Sequence, residues 1–325
     1  MQAFEFANPS TLQEALGLLG ANYSDANILA GGTDELSLLK DNIHHPKRLV
    51  NIKSIKALGG ITKTATGLRV GATVTVDDLM NNALVRAEFP SLISAARGIS
   101  SPQIRNMGTV GGDLTLRPRC WYFRNGFGLL AMKEGKSLVV DGQNEYHAIF
   151  PEGLAYYVSA SSFAPALVAL GAKVKIASAT GVREVEVAQF FLAPKERGQG
   201  ESDIKPNEIL TEILIPSAKG SKNAIYEVRQ KEALDWPLAA AAVSLRMKGN
   251  SVESARVVLG HVGPRPVLAE AAGKLLAGKS ITEGVAEEAG KAAVAGAKPL
   301  SNNGYKVQLA QVAVKRALLE AVKKA

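Results

Sequence analysis

The sequence predicts an α+β protein with more than one domain, and three observations predict it. Short strand-like stretches alternate with helical stretches in the first half of the chain. Three longer strand-like stretches follow residue 223, and the chain ends in alanine-rich helices. At 325 residues the chain is also long for a single hydrophobic core.

The first 52 residues read as alternating strands and helices. Phe4 and Phe6 form a short apolar alternation, and Ser10 to Gln13 has the spacing of a capping box at the start of a helix. A short buried strand is expected from Asn27 to Ala30, a helix from about Asp34 to Lys40, and another strand from Arg48 to Ile52.

The next segment is expected to be rich in strands. Residues 61–73 look like two strands around a glycine-containing turn, and Thr75 is placed to cap a helix. A further helix covers residues 91–97, and residues 209–215 alternate apolar and polar side chains.

A polar, glycine-containing stretch at residues 217–223 marks the expected boundary between two domains. Beyond it we expect three antiparallel strands, at Ala224–Arg229, Leu238–Met247 and Ser254–Val262. The last helix carries an apolar stripe, which we interpret as core: Val307, Ala310, Val314, Leu318 and Ala321.

Two glycine pairs about 80 positions apart are the most informative feature. They lie in LAGGTDEL, from Leu29 to Leu36, and in MGTVGGDL, from Met107 to Leu114. Glycine permits positive φ and close approach, and successive backbone N–H groups in such a turn can form an anion-binding nest. Either string alone is equally typical of a tight strand-to-helix turn. Together they favour a ligand with two phosphates, a dinucleotide cofactor, although neither fits the nicotinamide or Walker fingerprints.

Charge and hydropathy exclude several classes of protein. The net charge is +8, but basic residues are interspersed with acidic ones and no basic run contains aromatic residues, so we expect no nucleic-acid partner. No apolar run is long enough to span a bilayer. The first residues lack a basic start and an apolar core, so we expect no signal peptide and a cytoplasmic protein.

Cysteine and histidine content argues against a metal centre in this chain. Cys120 is the single cysteine, which excludes an internal disulfide and any cluster that needs several cysteines from this chain. His44 and His45 are adjacent and do not share a face on a helix or a strand, so we expect them in a solvated loop. We expect no metal ligands and no catalytic nucleophile or base.

The chain resembles the FAD-binding medium subunit of the molybdenum hydroxylases, the family of xanthine dehydrogenase, carbon monoxide dehydrogenase and bacterial aldehyde oxidoreductases. The resemblance covers essentially the whole chain. It is carried by AGGTDEL, SPQIRNMGTVGGDL, EILTEILIP and YEVRQKEALDWPLAAAAVSL. It implies a FAD-binding domain of the vanillyl-alcohol-oxidase-like (PCMH) type at residues 1–218, with subdomains of about 1–55 and 56–218. A small α+β domain would follow at 219–325.

The resemblance also implies where FAD binds. The two glycine segments would cradle the pyrophosphate and ribityl region, Ile209 and Leu210 would lie near the isoalloxazine ring, and Lys231 is a weaker candidate. Ser161 stands where many relatives have an aspartate, and Glu227 where a lysine is common. The implied set is Leu29, Ala30, Gly31, Gly32, Thr33, Asp34, Glu35, Thr109, Gly111, Gly112, Asp113, Leu114, Ser161, Ile209, Leu210 and Lys231.

The function implied is that of an electron-transfer subunit. A large partner subunit would hold the molybdenum cofactor and oxidise the substrate, and a small partner with two 2Fe–2S clusters would pass electrons to FAD here. A terminal electron acceptor would then take them. An alternative is a self-sufficient FAD-dependent oxidase or reductase of the same fold, and a third reading is a non-redox nucleotide- or RNA-binding protein.

The segment from Arg117 to Tyr146 resembles an inserted loop that carries a 4Fe–4S cluster in one subgroup. With one cysteine, we expect the loop without the cluster. Its aromatic residues, among them Trp121 and Phe123, lie either against their own domain or at a partner interface. We expect the interface, with Arg117, Arg119 and Arg124 facing an acidic partner surface.

Overall fold

The computed structural model describes residues 1–99, 101–231 and 235–323. Within these ranges the chain forms fourteen strands and twelve α-helices. The strands are β1 (Glu5–Ala7), β2 (Ala26–Leu29), β3 (Arg48–Asn51), β4 (Ile61–Lys63), β5 (Gly67–Gly71), β6 (Met132–Lys133), β7 (Lys136–Ser137), β8 (Lys173–Ser178), β9 (Gly181–Glu186), β10 (Ile209–Pro216), β11 (Ser221–Val228), β12 (Ala239–Lys248), β13 (Ser251–Gly260) and β14 (Val267–Leu268). The helices are α1 (Leu12–Gly17), α2 (Glu35–Lys40), α3 (Val76–Asn81), α4 (Ala83–Glu88), α5 (Pro90–Gly98), α6 (Pro102–Met107), α7 (Val110–Leu114), α8 (Ala164–Leu170), α9 (Val187–Phe190), α10 (Glu270–Leu276), α11 (Glu283–Ala293) and α12 (Tyr305–Val322).

The first sheet is small and parallel, with strand order β1-β3-β2. Helix α1 begins one residue later than the sequence predicted. Thr11 is its N-cap and accepts from the N–H of Glu14, whose carboxylate accepts from the N–H of Ser10. The predicted capping box of Ser10 and Gln13 was therefore wrong. Thr11 takes the place of Ser10 as the N-cap, and Glu14 takes the place of Gln13 as the side chain that bonds the backbone N–H before the helix.

The second sheet is antiparallel, with strand order β4-β5-β10-β8-β9. Its central strand β10 is fixed by the carboxylate of Glu212, which lies 2.9 Å from Arg69 Nε and 3.3 Å from Lys175 Nζ. Against β8, strand β10 shifts register between Leu210 and Glu212, which leaves Thr211 as the extra residue of a bulge. The bulge lies directly after Ile209 and Leu210, the first residues of the strand.

The third sheet has strand order β11-β12-β13-β14. The three strands expected from the sequence are present. The sheet also has a fourth strand, β14, which the sequence did not predict because it is only two residues long and follows a proline-rich turn. Neighbouring residues of β12 face different cores: Ala241 and Val243 pack with the C-terminal helices, and Ala242 packs with the core of the second sheet. Small side chains suit a strand that is buried on both faces.

The C-terminal helices cover one face of this sheet. Helix α12 contacts β11 and β12 and packs against α11, while α8 contacts the sheet from the side of the second core. The predicted stripe on α12 is confirmed as core, since Ala310, Val314 and Leu318 are fully buried. None of the helices that the structure describes is long and apolar enough to cross a membrane.

Candidate functional site

A cleft of about 380 Å³ lies where the three sheets meet, a volume within the usual range for ligand sites. It is lined by the first glycine segment after β2, by residues of α6 and α7, by the first residues of β10, and by Arg229 and Trp236, which lie just outside β11 and β12. The cleft is therefore built by parts of the chain that are distant in sequence.

The two glycine segments touch each other across this cleft. A Cβ atom on Gly31 would lie 2.0 Å from the carbonyl oxygen of Met107, closer than any side chain could stand. Glycine at position 31 is therefore required by close approach between the two segments, as the sequence predicted for these motifs in general.

The first glycine segment presents a row of backbone donors. Gly32 has φ +73°, and this left-handed turn leads into α2. Among the residues that the structure describes, none accepts a hydrogen bond from the N–H groups of residues 31–35. Such a run of N–H groups beside a cleft is an anion-binding arrangement.

The second glycine segment is built differently. Gly111 and Gly112 lie inside α7 and lack positive φ, so the expected second nest was wrong. The N–H groups of Val110 and Gly111 donate to Val74 and Ala72 at 2.9 Å, and that of Gly112 donates to the Thr109 hydroxyl at 3.0 Å. Helix α7 is thus tied to the segment before α3 and forms the floor of the cleft.

Asp34 is surrounded by arginines of its own chain. Arg119 Nη1 lies 2.7 Å and Arg124 Nη2 lies 2.9 Å from the Asp34 carboxylate, which caps no N–H of α2. Arg117 Nε lies 3.0 Å from Glu201. Each of the three arginines is thus paired with a carboxylate of this chain, and that they face a partner subunit stays a prediction, since the Arg119 side chain is 38% exposed.

The aromatic loop after the arginines is largely internal structure. The Phe123 side chain is 5% exposed, and the guanidinium carbons of Arg117 and Arg124 stand 5.2 Å and 5.8 Å from its ring centroid. Tyr122 accepts a hydrogen bond from the N–H of Gln143 within the same loop. Phe127, in contrast, is 40% exposed.

Asp113 extends from α7 into the loop before α8. Its carboxylate accepts hydrogen bonds from the Ser161 hydroxyl and from the N–H groups of Ser162 and Phe163. Burial raises the pKa of Asp113 to about 6, against the lowering effect of these donors. Ser161 also accepts from the N–H of Ala164, so it orders this loop and does not line the cleft.

Glu35 is held at the cleft by two neighbours. Its carboxylate lies 3.0 Å from His44 Nδ1 and accepts from the Asn27 amide at 2.9 Å. His44 lines the cleft and is half-buried, so the prediction of a solvated histidine loop was wrong for this residue. The tertiary approach of Glu35 is the reason, since it covers the ring.

A buried ion pair stands near the base of the cleft. The Glu227 carboxylate accepts from Arg229, and burial raises the pKa of Glu227 to about 7 although Arg229 lowers it. Arg229 lines the cleft. Arg229 therefore supplies a basic group at this cleft, although position 227, where a lysine is common in the family, carries a glutamate.

Twelve of the sixteen residues expected to contact the cofactor line this one cleft: Ala30, Gly31, Gly32, Thr33, Asp34, Glu35, Thr109, Gly111, Gly112, Asp113, Ile209 and Leu210. Four do not line it. Leu29 ends β2, Leu114 is buried in the core, Ser161 binds Asp113, and Lys231 is exposed.

Sequence reasoning missed several residues of the cleft wall, among them Tyr23, His44, Arg229 and Trp236. Their positions depend on how distant segments pack, for which a single sequence carries little signal. Within the described ranges, no group of three or more His, Cys, Asp or Glu side chains could hold a metal ion.

Comparison with protein families gives two matches that together cover most of the chain. Residues 2–218 match the family described as the FAD binding domain in molybdopterin dehydrogenase, and residues 224–321 match the CO dehydrogenase flavoprotein C-terminal domain. The carbon monoxide dehydrogenase medium chain of Hydrogenophaga pseudoflava is 30% identical over 97% of this chain and 96% of its own length. The aldehyde oxidoreductase FAD-binding subunit of Escherichia coli is 29% identical, over 99% of each chain.

Solved structures show the same fold. A carbon monoxide dehydrogenase chain from Hydrogenophaga pseudoflava superposes with a TM-score of 0.78 at 29% identity, over 98% of this chain and 97% of that one. A chain of quinoline 2-oxidoreductase from Pseudomonas putida 86 gives 0.77 at 28% identity, over 98% and 97%. The predicted fold class, an α+β FAD-binding domain followed by a C-terminal flavoprotein domain, is confirmed. The chain belongs to the family of FAD-binding subunits of the molybdenum hydroxylases.

Proposed function

We propose that this chain is the electron-transfer subunit of a molybdenum-containing hydroxylase. Electrons would reach its FAD from 2Fe–2S clusters of a small partner subunit and leave to a terminal acceptor. A large partner subunit with the molybdenum cofactor would oxidise the substrate. The observation that carries the proposal is the row of free backbone N–H groups at residues 31–35 beside the cleft.

The residues present fit a bound FAD. The N–H groups of residues 31–35 suit the pyrophosphate, and the hydroxyls of Thr33 and Thr109 line the same cleft. Ile209 and Leu210 supply apolar surface for the isoalloxazine ring where β10 begins. We propose these residues as the main cofactor contacts and leave Lys231 out, since it is exposed and lies off the cleft.

The arginines around Asp34 make the site compatible with a diphosphate. A free carboxylate at this position would repel phosphate, but Arg119 and Arg124 both pair with Asp34, so the three groups together carry a net positive charge. Arg119 also lines the cleft, with its guanidinium carbon 5.2 Å from the centroid of the Trp236 ring. The loop thus supplies positive charge at the mouth of the phosphate site.

Bound FAD supplies the redox chemistry, since a flavin accepts electrons singly and can release two. This chain's residues hold the cofactor, orient it and exclude water from the apolar end of the cleft. No residue needs to act as a nucleophile or general base. We further propose that residues 1–218 form the FAD domain, with subdomains of about 1–55 and 56–218, and that residues 219–325 form the C-terminal domain.

Metal analysis and flavin spectra of two preparations test the proposal. The chain produced alone should bind one FAD and no iron, and its flavin should not be reduced by organic substrates. Co-expressed with the genes of candidate partner subunits, it should purify in a complex with molybdenum and four irons per FAD, as two 2Fe–2S clusters require. Reduction of the clusters should then be followed by loss of the oxidised flavin band.

Replacement of Cys120 by serine provides the control for a cluster in this chain. We expect Cys120→Ser to leave iron content and flavin reduction unchanged. Stoichiometric iron on the isolated chain, or rapid reduction of its flavin by an organic substrate without partners, would contradict the proposal.

A further inference from the structure

A second cavity, of about 350 Å³, lies next to the FAD cleft. The two share a wall that contains Arg119, Asp235 and Trp236. The rest of the second cavity is lined by the aromatic loop and by buried residues of the C-terminal sheet and of α12. Its volume lies within the usual range for small-ligand sites.

The walls of this cavity are aromatic. Trp121 stands edge-on to Tyr146 and to His147, with ring centroids 5.5 Å and 5.7 Å apart. Trp236 also lines the cavity, so both tryptophans of the chain border this one space. Flat rings around a small cavity favour a flat, apolar guest.

Three polar atoms of the lining residues are buried without a partner among the residues that the structure describes. They are Nε1 of Trp121, Nδ1 of His147 and Nε2 of His261. Both histidines are 3% exposed. Buried polar groups are nearly always satisfied in native proteins, so three unsatisfied atoms around one cavity indicate that something else occupies it.

The lining groups are mostly donors and mostly neutral. Burial lowers the pKa of His147 to about 4 and that of His261 to about 3, and burial raises the pKa of the Cys120 thiol. The Cys120 sulfur lies 3.2 Å from His147 Nε2 and can donate its proton there. When the thiol donates to Nε2, the ring proton of His147 lies on Nδ1, which is then a second donor beside the Trp121 N–H.

The charged groups around the cavity are already engaged. The ammonium of Lys306 donates to the carbonyl oxygens of Tyr146, His147 and His261 at 2.9–3.2 Å. The Asp235 carboxylate accepts from the backbone N–H of Lys231 and would repel an anion. Arg119, the other charged side chain of the lining, is paired with Asp34, so a neutral guest that brings its own hydrogen-bond acceptors suits this cavity.

From this arrangement we infer that the cavity is a second ligand site, which takes a small, neutral, planar aromatic compound with carbonyl oxygens. The rings of Trp121, Tyr146 and Trp236 enclose its flat body. The N–H groups of Trp121 and His147 donate to its carbonyl oxygens. The site is distinct from the FAD cleft, although the two share a wall.

Calorimetric titration of the FAD-loaded chain with duroquinone tests this inference. Duroquinone is a flat ring with two carbonyl oxygens, and its four methyl groups leave no ring position open to addition of the Cys120 thiol. Durene has the same ring and methyl groups without the carbonyls. We expect one duroquinone per chain, with quenching of the tryptophan emission, and at least tenfold weaker binding of durene.

Variants assign the binding to this cavity. Trp121→Phe keeps a ring but removes the N–H donor and should weaken duroquinone binding about tenfold, as the loss of one hydrogen bond implies. Ala160→Leu should fill part of the cavity and abolish binding. Phe127→Leu changes an exposed ring of the same loop that does not line the cavity and should leave duroquinone binding unchanged.

The flavin spectrum is recorded in every titration, so failure of this inference is distinguishable from failure of FAD binding. An intact flavin spectrum with no heat from duroquinone would mean that ordered water alone fills the cavity, and the inference would be overturned. Equal affinity for durene, or an unchanged dissociation constant in Trp121→Phe, would overturn it as well.

Discussion

The two glycine segments look alike in the sequence and do different work in the fold. The first, at residues 29–36, leaves the N–H groups of residues 31–35 free at the cleft wall. The second, at residues 107–114, uses the N–H groups of residues 110–112 to bind the segment before α3 and its own cap. One segment therefore presents donors to a ligand, and the other builds the surface against which the first one packs.

A glycine pair can therefore be required for two different reasons, its backbone dihedral or its lack of a side chain. Gly32 is needed for its φ of +73°, with only leucine side chains 3.3 Å or more from where its Cβ would lie. Gly111 has no such dihedral, but its Cβ would lie 2.8 Å from the Cβ and carbonyl oxygen of Ala72. Substitutions at the two positions should separate ligand binding from folding.

The largest effect is expected outside both glycine segments, at the loop that holds Asp34 in place. Phe123→Ala should lower the free energy of unfolding by about 3 kcal/mol, because a buried ring between two arginines is removed. Phe127→Ala, in the same loop but exposed, should cost about 0.5 kcal/mol or less. Urea unfolding measures both, and equal small costs would show that the loop does not support the first segment.

Gly111→Val tests the structural role of the second segment. The clash with Ala72 should cost about 2–3 kcal/mol of unfolding free energy, the usual cost of overpacking. Gly284→Val, in a helix where a Cβ meets nothing, is the matched control and should leave the free energy of unfolding nearly unchanged, since valine is not a poorer helix former than glycine. A Gly111→Val protein of normal stability that lacks FAD would mean that Gly111 itself contacts the ligand, against the structural role assigned to this residue.

Asp34→Asn tests the charge balance of the first segment. Arg119 and Arg124 would lose their counter-charge, and the free energy of unfolding should fall by about 1–2 kcal/mol, since the carboxylate is only partly buried. Faster proteolysis of residues 117–128 should accompany this loss. Asp41→Asn, at an exposed carboxylate, should change neither quantity.

A smaller effect is expected from the titration of Asp113. Because its folded pKa is raised to about 6, the folded state holds a proton that the unfolded chain has lost above about pH 4. The stability of the natural protein should therefore fall relative to Asp113→Asn as pH rises from about 4 to 6. We expect about 1 kcal/mol in urea unfolding, because the carboxyl is partly exposed to the cleft. A difference that stays constant with pH would refute the raised pKa of Asp113.

Local patterns predicted much of the fold. Strand β10 was visible in the alternation of EILTEILIP, and the start of α3 in Thr75, which accepts from the N–H of Asp78. The fourth strand β14, which the sequence did not predict, is two residues long and too short to show a periodic pattern. The start of α1 differs from the prediction by one residue, because Ser10 and Thr11 are both possible N-caps and the helix uses Thr11.

The sequence predicted which residues form most of the site, but only part of how they are arranged. Glycine, threonine and apolar positions came from sequence motifs, and most of them line one cleft. The partners of Asp34 could not be predicted, because Arg119 and Arg124 are some 85–90 positions away in the sequence. Long-range ion pairs of this kind depend on the tertiary fold, which no local pattern encodes.

The most direct test of the account compares Gly32→Val with Gly278→Val in FAD content. Both glycines have nearly the same φ, +73° and +76°, so both variants carry similar backbone strain, about 1–3 kcal/mol. Gly278 lies far along the chain, between α10 and α11, and does not line the cleft. The account predicts that Gly32→Val folds but loses FAD, while Gly278→Val keeps one FAD per chain. Normal FAD content in Gly32→Val, or equal loss in both variants, would contradict the assignment of the first glycine segment as the phosphate site.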